Sequence, residues 1–320
     1  MFYKHNPAYD TCVSHYQMCA KGYYEPEVTP LMMDVAALDK PGRGGPLNAC
    51  TNAYALVLLS DEYLPGVLTA VHTVRKYARK AADYVVVVTP EVSEDVRQVL
   101  MQMCVVVRET DAIRTPTPIM NQIKGLDAMD IGRKDMMTKL MVWSMDEYEK
   151  VVYLDSDLIV LRSMDELWEH TVHFGQILAP ARSYSDPQNF GAYLMLLHPG
   201  VDTVKQMRDR MKFEEDVVLK EDKDVAHVKL RQANWVDESF LNKWFADSWL
   251  GNPDHRLPWG MIACAGDLAR SPRLVLENVN STAMAFKFQV RACGEQRAVG
   301  VRARARARAK VTVRVRVRVG

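Results

Sequence analysis

The chain has 320 residues, 48% apolar and 25% charged, which excludes fibrous and intrinsically disordered classes and allows a substantial core. No apolar run approaches the ~20 residues that span a bilayer, so no transmembrane segment is expected. The net charge of +1 hides an asymmetry: residues 291–320 carry ten Lys or Arg against one Glu, which leaves an acidic body of net −8. Such a body would repel phosphates, and the basic tail lacks the interleaved aromatics that stack on bases, so no nucleic-acid partner is expected.

Residues 1–48 hold scattered Pro and Gly and close on Pro41-Gly42-Arg43-Gly44-Gly45-Pro46, which reads as an extension with a flexible joint. Met1 to Asp10 show neither the basic stretch nor the apolar segment of a secretory signal. That points to a cytoplasmic protein, or to the Golgi lumen if an anchor precedes this sequence. Six dispersed cysteines without paired Cys-x-x-Cys spacing argue against structural zinc and are expected to be reduced thiols.

From Ala53 an alternation begins. The pattern predicts a strand over Tyr54–Leu59, a helix over Leu64–Ala78, a strand over Asp83–Thr89, a helix near Ser93–Met103 and a strand over Cys104–Arg108. A long loop with Pro116 and Pro118 follows, then a helix from about Asp135 to Glu149. Strand alternating with helix means parallel βαβ units, hence an α/β fold with a mainly parallel central sheet flanked by helices. In such sheets ligands gather beyond the carboxyl ends of the strands, where Ser60, Asp61, Tyr63, Asp155 and Asp157 would converge.

The most informative stretch is Val151 to Leu161 (VVYLDSDLIVL), a buried-strand run interrupted by Asp155 and Asp157. Unpaired carboxylates inside a core strand are costly, so something must compensate them. Residues two apart on a strand point the same way, so both could grip one divalent cation, and oxygen ligands favour magnesium or manganese. The alternative is a turn, with Asp-Ser-Asp ending one strand and Leu158 to Leu161 starting another element.

Residues 148–167 (YEKVVYLDSDLIVLRSMDEL) strongly resemble the Asp-x-Asp segment of family 8 glycosyltransferases, the glycogenin and galactinol synthase group. Thr138-Lys139-Leu140 and Trp143 match the family's residues ahead of that motif. Val57 to Gly66 (VLLSDEYLPG) resembles the strand and loop that hold the uridine, and Asp237 to Phe245 (DESFLNKWF) resembles the acceptor-side block. The resemblance implies a GT-A fold over residues 49–288 and a retaining enzyme. Such an enzyme moves a hexose (glucose, galactose or glucuronic acid) from a UDP-sugar to a hydroxyl-bearing acceptor, with manganese, or magnesium, at the Asp-x-Asp motif. A homodimer is compatible with it.

By the same resemblance, Asp155 and Asp157 hold the metal, and the catalytic pair is Lys139, which binds a phosphate or a sugar hydroxyl, and Asp237, on the far side of the sugar. Val57, Ser60, Tyr63, Lys139, Asp155, Ser156, Asp157, Asn189, Gly191, Ala192 and Glu238 contact the donor. Without the flanking match, Lys139 would be read as a solvated helix lysine. Three departures stand out. Either Asn189 or Gly191 can take the family's Asn position, and Glu238 replaces a Gln. The late His-x-x-Gly-x-x-Lys-Pro-Trp segment, whose histidine completes the metal site, is missing, since no histidine follows His255. Lys287 stands near that position but, protonated, has no lone pair for a metal. Residues 289–320, with alternating Val-Arg and Ala-Arg, are read as a tail outside the fold, translated from a simple nucleotide repeat. The alternative function is a catalytically impaired nucleotide-sugar-binding remnant.

Overall fold

A computed structural model describes residues 50–114, 135–183, 186–219, 237–264, 277 and 283–287. The extension before residue 49, the Pro116–Pro118 loop and the tail lie outside the described residues. The expected alternation is present: β1 (Asn52–Leu58), α1 (Leu64–Tyr77), β2 (Asp83–Val88), α2 (Glu94–Gln102) and β3 (Val106–Glu109). Pro65 in the first turn of α1 suits the helix start, where its missing N–H costs nothing, and Ser93 caps α2 by accepting from Val96 N.

Further along come β4 (Lys150–Leu154), β5 (Leu158–Val160), β6 (Ile177–Ser183), β7 (Asp186–Phe190) and β8 (Leu194–Leu197). After these lie α3 (Val201–Leu219), α4 (Asp237–Trp244), α5 (Ala246–Gly251), β9 (Arg256–Leu257), β10 (Ile262–Cys264) and β11 (Ala285–Lys287). The large sheet runs β3-β2-β1-β4-β8-β6-β7, with β9 on β6. Its first four strands are parallel, β8 and then β6 and β7 pair antiparallel, and β9 joins β6 in parallel.

Side-chain alternation divides the core into two layers. Tyr54, Leu56, Leu58, Val152 and Leu154 face the layer of Val67, Val71 and Val74 from α1. Ala53, Ala55, Val151 and Tyr153 face the other, which holds Leu140, Trp143, Phe240, Leu241 and Phe245. The parity matters for the site, because Asp155 continues the series Val151, Tyr153 and therefore belongs to the second face.

Three expectations are corrected. The strand over 151–161 is broken: β4 ends at Leu154, Asp155-Ser156-Asp157 forms the connection, and β5 belongs to a separate sheet of order β10-β11-β5. The two carboxylates so escape a continuous ladder whose flanks would bury them. The helix expected over 135–149 is a 3-10 segment, Met136–Ser144, which turns tightly enough to seat Met137, Leu140 and Trp143 in one core layer. Cys50, Cys104 and Cys264 are disulfide-bonded rather than reduced, which their dispersed spacing gave no means of reading.

Candidate active site

Beyond the carboxyl end of β4, Asp155 lies between two lysines. Lys139 Nζ, on the 3-10 segment, is 3.1 Å from Asp155 Oδ1, is ion-paired with Asp237 Oδ2 at the start of α4, and donates to Ala192 O at 3.1 Å. It also sits 5.0 Å over the Tyr153 ring, whose hydroxyl donates to Asp155 Oδ1 at 2.7 Å. Lys139 is 7% exposed, so it is no solvated helix lysine. Burial alone would depress its pKa, but Asp155 and Asp237 outweigh that and hold the ammonium charged.

On the other side, Lys287 Nζ reaches Asp155 Oδ2 at 2.9 Å and Asp157 Oδ1 at 2.7 Å. The small sheet delivers it: β11 runs antiparallel to β5 with Lys287 opposite Leu158, and parallel to β10 with Lys287 opposite Cys264. The lysine is 3% exposed and lies 5.0 Å over the Tyr193 ring. Burial disfavours ionisation of Asp155, yet Lys139 and Lys287 prevail and hold its carboxyl below the ordinary carboxylate range. Burial, with the Asp155 charge beside it, pushes the Asp157 carboxyl up even though Lys287 is paired with it.

A third set of groups closes the site from β6 to α4. Glu238 accepts from Ala192 N at 3.3 Å and pairs with Arg182 Nε at 2.8 Å. Burial, only partly offset by Arg182, pushes Glu238 up to about 7. Asn242 holds the adjacent turn, accepting from Phe190 N at 2.7 Å and donating to Phe190 O at 2.9 Å. Gly191 has no room for a side chain: a Cβ there would lie 2.2 Å from the Tyr193 ring.

Of the residues expected at the site, the structure brings Lys139, Asp155, Ser156, Asp157, Gly191, Ala192, Asp237 and Glu238 together. Asn189 is not among them; it is exposed on β7 and donates to Asp186 Oδ1 at 2.9 Å, while Ala192 meets Lys139 and Glu238 and Gly191 packs against Tyr193. Val57 and Ser60 are half-buried at the carboxyl end of β1, and Tyr63 is 44% exposed just beyond. This segment meets the Asp-x-Asp turn where a Cβ on Gly66 would lie 2.3 Å from Ser156 O. Asp61 is turned to another task, accepting from Ser93 N at 2.9 Å ahead of α2. Sequence reasoning missed Tyr153, Arg182, Tyr193 and the role of Lys287. Only Tyr153 had a usable signal, its same-face spacing two residues before Asp155.

The family model for glycosyl transferase family 8 matches residues 55–228. The chain belongs to glycosyltransferase family 8. It is similar to glycogenin of Neurospora crassa, 30% identical over 156 residues, covering 47% of this chain and 21% of that protein. Galactinol synthase 4 of Arabidopsis thaliana is 30% identical over 146 residues, covering 45% of this chain and 39% of that protein. This family 8 chain therefore spans well under half the length of those two relatives. Its fold resembles the crystal structure of the galactosyltransferase LgtC in complex with donor and acceptor sugar analogues. That likeness has a TM-score of 0.51 at 13% identity, over 76% of this chain and 87% of the other, and supports the GT-A fold expected from the sequence.

Enzymes of this fold use a nucleotide-sugar donor, usually with a divalent metal. The residues here do not fit such an ion as they are arranged. Lys287 Nζ occupies the space between the two carboxylates, and a protonated amine offers no lone pair. Among the described residues, no group of three or more His, Cys, Asp and Glu converges to hold a metal.

Proposed function

We propose that this family 8 chain transfers a hexose, namely glucose, galactose or glucuronic acid, from a UDP-sugar to a hydroxyl-bearing acceptor with retention of configuration. The observation that supports this best is the buried Lys139, held between Asp155 and Asp237 beyond the carboxyl end of a parallel strand. In this reading Val57, Ser60 and Tyr63 border the uridine, and the Asp155-Ser156-Asp157 turn faces the pyrophosphate. Gly191 and Ala192 form the floor beneath the sugar, which Asp237 and Glu238 contact through its hydroxyls.

Departure of UDP leaves negative charge on the pyrophosphate, and fixed ammonium groups in a water-poor site stabilise that charge more than they would in bulk water. Residues 49–288 are read as the transferase domain and residues 289–320 as lying outside it. Among the described residues no helix is long and apolar enough to cross a membrane. The disulfides favour an oxidising compartment such as the Golgi lumen over the cytoplasm.

The test is UDP release from a panel of UDP-glucose, UDP-galactose and UDP-glucuronic acid, with simple alcohols and sugars as acceptors. Turnover with one donor, abolished by Asp237→Asn, is expected. Tight UDP binding without release from any donor would overturn the transfer reading and favour a nucleotide-sugar-binding protein.

A further inference from the structure

We propose that Lys287 is the resident cation of the Asp155–Asp157 pair, so that this chain binds the pyrophosphate of its nucleotide donor without a divalent ion. The proposal rests on the donor reading above and adds what neutralises the carboxylates. Three observations carry it. The ammonium bridges one oxygen of each carboxylate, at 2.9 and 2.7 Å, the bridging position an ion would take. Its strand is fixed on both sides, by β5 through Leu158 and by β10 through Cys264, so the side chain cannot leave by a loop movement. It is also almost wholly buried, so water does not compete for it.

A divalent ion between the same two oxygens would sit about 2.0–2.6 Å from each, and so in close contact with Nζ. Two like-charged centres at that separation repel strongly in a site of low effective dielectric. Binding of an ion therefore requires Lys287 Nζ to leave its place between the two carboxylates, where both ion pairs hold it. Lys287 has three N–H donors and spends two on the carboxylates, so the third is left to the Tyr193 ring or to a bound anion. Lys139, on the far side of Asp155, supplies a second fixed charge. A lysine carries half the charge of a divalent ion, so nucleotide affinity should be modest and should weaken with salt.

The experiment uses the full chain. UDP binding is measured by calorimetry in EDTA and in manganese chloride, and free manganese is followed by its aqueous EPR signal with and without UDP. Equal UDP affinity in both buffers, with the manganese signal unchanged by protein, is expected. Lys287→Met should lower UDP affinity in EDTA by about 10- to 100-fold, the loss of one charged hydrogen-bond donor. Lys287→Arg should retain most of it, and Lys287→His should bind manganese in the presence of UDP. If Lys287→Met does not fold, the wild-type measurements decide alone. UDP binding that requires manganese, or manganese uptake by the wild type with UDP, overturns this inference and leaves the donor reading intact. Absence of UDP binding in both buffers overturns the donor reading and the inference with it.

Discussion

The two lysines that hold Asp155 come from regions of opposite character. Lys139 belongs to a segment packed under the large sheet by Leu140 and Trp143, within the layer that also contains Phe240 and Phe245. Lys287 belongs to a three-stranded sheet whose strands are three residues long each, tied to the rest partly by Val160 N donating to Thr73 Oγ1 of α1 at 3.1 Å. One cation is positioned by a thick core and the other by backbone pairing. A charge held by core packing is coupled to global stability, whereas a charge held by a small sheet can be altered with less cost to the fold.

The largest effect is expected where the core and the site coincide. Lys139→Met leaves Asp155 and Asp237 without their shared partner, and breaking a buried ion pair in this way costs about 3–5 kcal/mol. Thermal or urea unfolding would measure it, and UDP binding by the remaining folded fraction should also be weakened. A melting point unchanged from wild type would contradict the coupling of this lysine to the core.

Gly191→Ala comes next. The added methyl must push the Tyr193 ring aside, at about 1–3 kcal/mol, typical of overpacking. Because Lys287 lies over that ring, UDP affinity should fall more than the melting point suggests. Parallel calorimetry and melting curves distinguish this from a purely structural change.

A smaller effect concerns pH. Glu238 has an ordinary pKa of 4.5 and is pushed up to about 7 by burial. Its protonated form is thus favoured in the folded state, so its contribution is fully present below about 4.5 and is lost as pH rises through about 7. Glu238→Gln should flatten the decline in urea midpoint between about pH 4 and about pH 8, which bracket that window. Some decline should remain, since burial also pushes Asp83 up to about 7.

The smallest effect tests the small sheet. Thr73→Val removes the acceptor for Val160 N and should cost about 1 kcal/mol, with a detectable loss of UDP affinity in EDTA. Equal loss of stability and no change in binding would indicate that β5 does not depend on α1 for its position.

Much of the large sheet was legible in the sequence. Period-two and period-3.6 patterns are local, and they placed β1, α1, β2, α2 and β3 within two residues of their observed ends. Asp155 and Asp157 stood out on their own as carboxylates in an apolar run, whereas Lys139, Asp237 and Glu238 were singled out only by the family resemblance of their flanking residues. Three-residue strands carry almost no periodic signal, so β10 and β11 were not seen. The Asp-Ser-Asp connection could be read as strand or turn, and only pairing of β5 with β11, and not with the large sheet, decided for the turn.

What the sequence determined by itself is the parallel α/β frame and the acidic motif at the carboxyl end of β4, since both follow from residue types within a short window. The tertiary structure alone decided which cation meets that motif. Lys287 is 130 residues from Asp157 along the chain, and its charge finds the carboxylates only because β11 closes against β5. Backbone hydrogen bonds between distant strands set that register, and no local pattern of side chains encodes it.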